Sequence, residues 1–180
     1  MARASNSVRI IGGRYRSRVL HFPDAPGLRP TPDRVRETLF NWLGQRLDGL
    51  VCLDAFAGSG ALGFEAASRG AARVVLLEQE RGAHEALLKN AQALAISGVE
   101  ILRRDARSHL ASSSDTYDLI FLDPPFAGDL LPIILPLAAT RLAPDGRIYA
   151  ESPRPLAPEG MTVLRQGRAG LSHFCLLELA

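Results

Sequence analysis

Asp123-Pro124-Pro125-Phe126 is the stretch of this 180-residue chain whose side chains and spacing carry the most specific chemistry. An amino nitrogen conjugated to an aromatic ring is a poor nucleophile, because its lone pair is delocalised. Accepting a hydrogen bond from each of its two N–H groups favours a pyramidal nitrogen and localises that pair. Two fixed acceptors are therefore needed, and the Asp123 carboxylate can be one and the Pro124 carbonyl the other. Pro125 restricts Pro124 to extended backbone, which fixes the direction of that carbonyl. Phe126 offers a flat face on which a nucleobase can stack. The plain alternative is a chain break after a strand, with Phe126 packed in the core.

A second constellation, Asp54-Ala-Phe-Ala-Gly58-Ser-Gly60-Ala-Leu-Gly63, lies where an apolar run gives way to a helical pattern. Open α/β sheets bind ligands at such turns. Gly58, Gly60 and Gly63 match the GxGxxG spacing of dinucleotide-binding loops, a pattern of low specificity by itself. Asp54 argues against a dinucleotide, because a carboxylate at the strand tip repels a pyrophosphate. It attracts the ammonium and sulfonium of S-adenosylmethionine, which carries no phosphate. Glu78 ends the next strand, where an acidic residue can accept from ribose hydroxyls. Asp105 and Ala106 follow a third strand: the carboxylate could accept from an adenine amino group and the Ala106 N–H could meet a ring nitrogen. Asp105 reads equally well as an ordinary helix cap.

These residues act together only if strand ends hold them. From Leu50 onward, apolar runs at Val51 to Ala55, Arg73 to Leu77, Val99 to Leu102, Tyr117 to Leu122 and Arg147 to Glu151 alternate with helical stretches. The helices are expected at Leu62 to Arg69, Gly82 to Ile96 and Leu130 to Arg141, the last broken by Pro132 and Pro136. That alternation predicts a parallel sheet with crossover helices. Thr162 to Arg165 and Phe174 to Leu179 add two strands joined by a loop containing Gly167 and Gly170. The expected fold class is α/β: a Rossmann-like, mostly parallel seven-stranded sheet with a C-terminal hairpin, plus a small N-terminal hairpin and helix.

That N-terminal part, residues 1–49, is expected to be a basic, polyanion-contacting extension of the α/β domain at 50–180. Val8 to Ile11 and Tyr15 to Phe22 read as strands turning at Gly12-Gly13. Thr31 can cap a helix with Pro32 at its first position, and Val35, Leu39, Trp42, Leu43 and Leu47 share one face. Residues 1–36 hold eight arginines against two aspartates, a net charge of +6 in a chain whose total is only +2. A concentrated basic arm is the footprint of a polyanion binder, and a solvated tail is the alternative. The imbalance of twenty arginines to one lysine, Lys89, runs through the whole chain and is read as compositional bias, not as the mark of a site.

The length suits one ordinary core, and no internal repeat or low-complexity tract interrupts it. No apolar run reaches the length of a membrane span and the first residues lack the apolar stretch of a secretory leader, so a cytoplasmic protein is expected. Cys52 and Cys175 sit in predicted strands without metal-ligand spacing, which predicts buried, reduced thiols, and no metal is required.

Arg9-Ile-Ile-Gly-Gly-Arg14, Gly27-Leu-Arg-Pro-Thr31, Asp33-Arg-Val-Arg-Glu-Thr-Leu-Phe-Asn-Trp42 and Phe56-Ala-Gly-Ser-Gly-Ala-Leu-Gly63, with the Asp-Pro-Pro-Phe motif, resemble the RsmD-type 16S ribosomal RNA guanine-N2 methyltransferase family. The resemblance covers nearly the whole chain, is strongest from Arg9 to Gly63 and at Asp123 to Phe126, and weakens beyond Ser152. Tyr15 stands where the family commonly has Trp, and Ala55 where a larger apolar residue or Cys is usual. The resemblance implies a monomer that acts on 16S ribosomal RNA in an assembled or nearly assembled small subunit, with S-adenosylmethionine as cofactor. It implies a catalytic set of Asp123, Pro124, Pro125 and Phe126. It implies a cofactor set of Asp54, Phe56, Gly58, Gly60, Glu78, Asp105 and Ala106, and an RNA-facing set of Arg14, Arg16, Arg18, Arg34 and Arg36.

Rival readings remain at this level. A DNA adenine-N6 or protein glutamine-N5 methyltransferase needs the same pair of acceptors, although the basic arm disfavours glutamine. An NAD-dependent oxidoreductase would need a proton-transfer residue that no convincing set supplies. A non-catalytic RNA-binding assembly factor would have no use for the Asp123 to Phe126 motif.

Overall fold

A computed structural model describes residues 6–180; the first five, with Arg3 of the basic segment and the start weighed as a leader, lie outside them. Strands β3 (Val51–Asp54), β4 (Arg73–Leu77), β5 (Val99–Leu102), β6 (Tyr117–Leu122), β7 (Leu142–Ser152), β8 (Met161–Ala169) and β9 (Ser172–Leu179) form one sheet in the order β5-β4-β3-β6-β7-β9-β8. All pairs from β5 to β7 are parallel, and β9 runs antiparallel to both β7 and β8. The seven-stranded, Rossmann-like sheet with a C-terminal hairpin is thus as expected.

Both faces of the sheet are covered, which is why its strands read as continuous apolar runs. Cys52, Val74, Leu76, Leu119 and Phe121 point into one cluster, while Leu53, Val75, Leu77, Ile120 and Leu122 point into the other. The first cluster packs under α1 (Asp33–Trp42), α2 (Ala61–Ser68) and α3 (Arg81–Ala93), the second under α4 (Ala106–Ser112) and α5 (Leu131–Ala139). Helix α5 is not broken at its prolines. Pro132 lies in the first turn, where its missing N–H costs nothing, and Leu131, Ile134, Leu135 and Ala138 bury a face that holds the helix through Pro136.

The N-terminal hairpin differs from its expected form. Strand β1 (Asn6–Arg9) pairs with β2 (Val19–Phe22) from Asn6↔Phe22 to Arg9↔Val19, so residues 10–18 form a loop and not a tight turn at Gly12-Gly13. Ile10 N and Ser17 N still bond across the loop, to the Arg18 and Ile10 carbonyls at 2.9 and 2.8 Å, but the donors around Gly12-Gly13 go to α2. Ile11 N and Gly12 N donate to the Glu65 carboxylate at 2.9 and 2.8 Å, Arg14 N to the Ser68 carbonyl at 2.7 Å and Tyr15 N to Ser68 Oγ at 2.9 Å. Gly13 makes this close approach possible: it has φ +78°, and a Cβ there would fall 1.9 Å from the Ser68 carbonyl oxygen. Val8, Ile10, Leu20 and Phe22 join Leu39, Phe40, Phe64 and Phe121 in one cluster, so residues before and after Leu50 share a core.

In the tail, β8 and β9 are longer than expected and turn at Gly170-Leu171. Gly167 lies inside β8, where Phe174 covers it closely enough that a Cβ would clash with the ring.

Candidate active site

Four acidic residues stand at the ends of neighbouring strands: Glu78 after β4, Asp54 on β3, Asp123 after β6 and Glu151 on β7. Parallel pairing of Leu122 with Ala150 brings Asp123 level with Glu151. Strand order reverses beside β3: the chain moves outward through β4 to β5 and then returns to β6 on the other side of β3, and the crevice at such a point is where open sheets hold ligands.

The turn after β3 is built for close approach. Gly60 N donates to the Ala57 carbonyl at 2.7 Å, and Gly60 then takes φ +84° to start α2. Asp54 is almost fully buried, and its Oδ2 accepts from Gly63 N at 2.9 Å while Oδ1 is buried without a partner. Burial pushes its pKa up to about 7; the bond from Gly63 opposes this and the Glu78 charge adds to it. Gly58 N donates to Glu78 Oε2 at 2.9 Å, and Glu80 N to Glu78 Oε1 at 2.9 Å, so the Glu78 carboxylate is fixed by two backbone groups. Leu28 lies over the turn, close enough that a Cβ on Gly58 would fall 2.9 Å from its methyl group. Phe56 is half-buried in the same turn.

Asp105 caps α4, accepting from Ser108 N at 2.8 Å, and its other oxygen accepts from Gln79 Nε2 at 3.1 Å. The buried Ala106 begins α4, so its N–H has no acceptor within the helix.

At the β6 tip Asp123 is half-buried, Pro124 is buried and Phe126 is 45% exposed, available as a stacking face and not packed in the core. Burial, then the charges of Glu151 and Asp54, raise the Asp123 carboxyl well above the usual carboxylate range. Thr31, expected as a helix cap, does not serve as one: Pro32 precedes α1 and no side chain caps it. The Thr31 hydroxyl instead lies 3.3 Å from Asp123 Oδ2 and 3.4 Å from Glu151 Oε1. Glu151 also accepts from Tyr149 Oη at 2.6 Å and from Ser172 Oγ at 3.2 Å. None of these four was singled out from the sequence as part of the site. Glu151 carried the available signal, a carboxylate ending a predicted strand, the same mark that singled out Asp54 and Glu78.

The arginines divide. Arg14, Arg16 and Arg18 are exposed on the loop bound to Ser68, at the end of α2 remote from the glycine turn. An eight-residue helix spans about 12 Å, so this loop lies toward the opposite edge of the sheet from the strand tips. A cavity of about 810 Å³ opens there, with Arg14, Arg16 and Arg46 in its wall. Arg34 is exposed in the first turn of α1, three residues after Thr31. Arg36 does not face solvent and is removed from the RNA-facing set. It is fully buried, donating to the Arg9 carbonyl at 2.8 Å, the Thr31 carbonyl at 3.1 Å, Glu65 at 3.2 Å and Asp33 at 2.5 Å. Its charge is met inside the protein, which leaves none for a phosphate.

Burial pushes the Cys52 thiol up to about 12 and the Cys175 thiol up to about 11, so neither is a thiolate at neutral pH. No helix among the described residues is long and apolar enough to cross a membrane.

Comparison with known proteins places this architecture. Ribosomal RNA small subunit methyltransferase D of Escherichia coli is 44% identical over 172 residues, covering 92% of this chain and 87% of that one. The solved structure of the Escherichia coli protein yhhF superposes with a TM-score of 0.86 at 41% identity, over 97% of this chain and 98% of that one. The fold is shared with a Thermus thermophilus 16S rRNA N2 G1207 methyltransferase solved with AdoMet and guanosine. That match has a TM-score of 0.74 at 24% identity and covers 98% of this chain and 50% of that one. A family model described as Conserved hypothetical protein 95 matches residues 8–178, and with the motif agreement at Arg9 to Gly63 and Asp123 to Phe126 it follows that this chain belongs to that family, the RsmD-type methyltransferases.

Proposed function

We propose that this protein is an S-adenosylmethionine-dependent methyltransferase that methylates the exocyclic N2 of a guanine in 16S ribosomal RNA. The observation that carries the reading is the juxtaposition of Asp123-Pro124-Pro125-Phe126 with the Asp54 turn on adjacent strand tips. The unpartnered Asp54 Oδ1 and the close-approach glycine turn fit a ligand that is cationic at this point. The cofactor supplies an electrophilic methyl group on a sulfonium. Asp54 would balance its positive charge, Glu78 would accept from ribose hydroxyls, and Asp105 with the Ala106 N–H would meet adenine, beside Phe56, Gly58 and Gly60. On the substrate side Asp123 and the Pro124 carbonyl accept the two amino hydrogens, and Phe126 stacks on the base. Relatives named as small-subunit ribosomal RNA methyltransferases support RNA as the substrate class.

Cofactor affinity should depend on pH through Asp54, whose pKa burial raises from 3.8 to about 7. In the cofactor-free protein this raised value means stability falls as pH rises from the ordinary carboxylate range through about 7. Binding of a cation works in the opposite sense, because it needs the ionised form. Affinity is therefore expected to level off above pH of about 7 and to fall below it by up to about tenfold per unit. Calorimetric titration across that range should show the slope in the wild type and lose it in Asp54→Asn. A flat wild-type profile would remove Asp54 from the cofactor site.

Methylation of small ribosomal subunits from cells lacking the gene, followed by mass mapping of the modified nucleotide, tests the substrate. One N2-methylguanine in 16S ribosomal RNA is expected, and modification of adenine, DNA or protein instead would overturn the reading. Arg14→Ala, Arg16→Ala and Arg18→Ala combined should weaken RNA binding and flatten its salt dependence by roughly 0.7 to 0.9 for each phosphate no longer neutralised. Cofactor affinity should not change, because the loop is at the far end of α2. An unaltered salt slope would make the arm a solvated loop.

A further inference from the structure

We propose that Asp123 and Glu151 form a carboxylate pair holding one proton between them, bridged by Thr31, with Glu151 as the positioning residue through which Asp123 alternates between acceptor and proton carrier. The proposal rests on the reading of Asp123 as an acceptor for the substrate amine.

The geometry is that of a shared proton. Asp123 and Glu151 are level on adjacent parallel strands, and the Thr31 hydroxyl stands within reach of an oxygen on each. A hydroxyl has one proton to donate. With both carboxylates ionised, only one of the two Thr31 approaches could be a hydrogen bond, and the other would set lone pair against lone pair. With one proton on the pair, both are hydrogen bonds, because Thr31 donates to one group and accepts from the other. Both distances are longer than the usual hydroxyl bond, so Asp123 is held loosely enough to turn to a substrate.

The two partners are not equivalent. Tyr149 and Ser172 donate to separate oxygens of Glu151, whereas Thr31 is the side-chain donor to Asp123. Burial and the neighbouring Glu151 hold the Tyr149 hydroxyl well above its usual pKa, so it stays a donor. The shared proton therefore rests on Asp123 in the free protein, the direction in which burial and the Glu151 charge also push it. The other titratable groups that bear on the pair are Asp54 from β3, which adds negative charge, and Cys175 from β9, which acts on Tyr149. Arg36 reaches only the Thr31 carbonyl and is committed to Glu65 and Asp33.

A substrate N–H aimed at Asp123 shifts the shared proton to Glu151 and leaves Asp123 ionised as the acceptor. As the N–CH₃ bond forms, the C–S bond breaks and its electron pair stays on sulfur. One N–H bond of the amine then breaks, its electrons staying on nitrogen and its proton going to Asp123. The pair thus loses its single negative charge as the positive charge on sulfur disappears, so the net charge of the site does not change.

Titration of carbon-13-labelled aspartate carboxyls by NMR in the cofactor-free protein tests this, with Asp123→Asn to assign the signal. Glu151→Gln should lower the Asp123 midpoint by about one pH unit or more, because a like charge is removed. Thr31→Val should lower it too, because the hydroxyl makes two hydrogen bonds when the pair holds a proton and only one when both groups are ionised, and Thr31→Ser should restore it. The acidic limb of kcat/KM should move in the same direction. A merely structural role would not lower the midpoint in both variants and recover it in the serine. An unmoved midpoint in Glu151→Gln, or a raised one in Thr31→Val, would overturn the pair; if Glu151→Gln does not fold, an unmoved or raised midpoint in Thr31→Val does so alone. The titration needs neither RNA nor methyl transfer. Failure of the wild type to methylate RNA would sink the proposed function, whereas an unmoved midpoint with transfer intact would sink only the pair.

Discussion

Asp123→Ala is expected to lower turnover by about 10²-fold or more, the loss typical of removing one preorganised hydrogen-bonding group from a site where charge develops. The effect should fall on kcat and kcat/KM together, because the bond from the amine to Asp123 strengthens only as the nitrogen lone pair localises. Cofactor affinity should survive, since Asp54 and Glu78 are held by the backbone of their own turns and not by Asp123. Asp123→Asn separates two contributions: it keeps one acceptor oxygen and the approach to Thr31, but cannot take up a proton. Turnover of the asparagine variant should therefore lie between that of the alanine variant and the wild type, the gap to alanine measuring the retained acceptor and the gap to wild type measuring the lost proton acceptor. Single-turnover methylation with saturating cofactor measures this directly; near-normal turnover in the alanine variant would remove Asp123 from the chemistry, and near-normal turnover in the asparagine variant would remove its proton uptake.

What was legible in the sequence is local in the chain. The glycine turn with Asp54, the Asp-Pro-Pro-Phe motif and the apolar runs each lie within a dozen residues, and strand alternation converts them into neighbouring strand tips. What was not legible depends on long-range partners. Thr31 reaches Glu151 across 120 positions, and its type and place before Pro32 pointed equally well to a cap. Arg36 looked like its exposed neighbour Arg34, because nothing near it announces that Glu65, 29 positions on in an otherwise apolar helix, will meet it inside. The tight turn at Gly12-Gly13 failed for the same reason: the acceptors for Ile11, Gly12, Arg14 and Tyr15 N–H belong to α2. Helix α5 kept its course through Pro136 because burial of four apolar side chains outweighed one lost backbone bond.

Glu65→Ala should be the most destabilising single change in the N-terminal half, at about 3–5 kcal/mol, the range for breaking a buried ion pair from one side. The Glu65 side chain is fully buried and takes four donors: Ile11 N at 2.9 Å, Gly12 N at 2.8 Å, Arg36 Nη1 at 3.2 Å and Arg69 Nε at 3.0 Å. A carboxylate has about four lone-pair sites, so none is spare. Alanine would leave two guanidinium groups and two backbone donors together without their acceptor. Arg36 would keep the Arg9 and Thr31 carbonyls, and as counter-charge only Asp33, whose side chain is 67% exposed and whose pairing is screened by water. Arg69 would keep Gln45 and its stacking on Phe40, with the guanidinium carbon 4.6 Å from the ring centre. For a chain of this length the loss corresponds to a fall in Tm on the order of 10 °C. Urea unfolding should show the midpoint drop, and replacing Glu65, Arg36 and Arg69 together by apolar residues of similar volume should recover part of it. The same node holds the loop bearing Arg14, Arg16 and Arg18 and, through Arg36, the Thr31 carbonyl. RNA binding should therefore weaken in Glu65→Ala at temperatures where the sheet is still folded, while cofactor affinity is retained. A cost below about 1 kcal/mol, the level of an exposed pair, would mean that apolar packing by Ile10, Leu20 and Leu39 alone fixes the extension to the sheet.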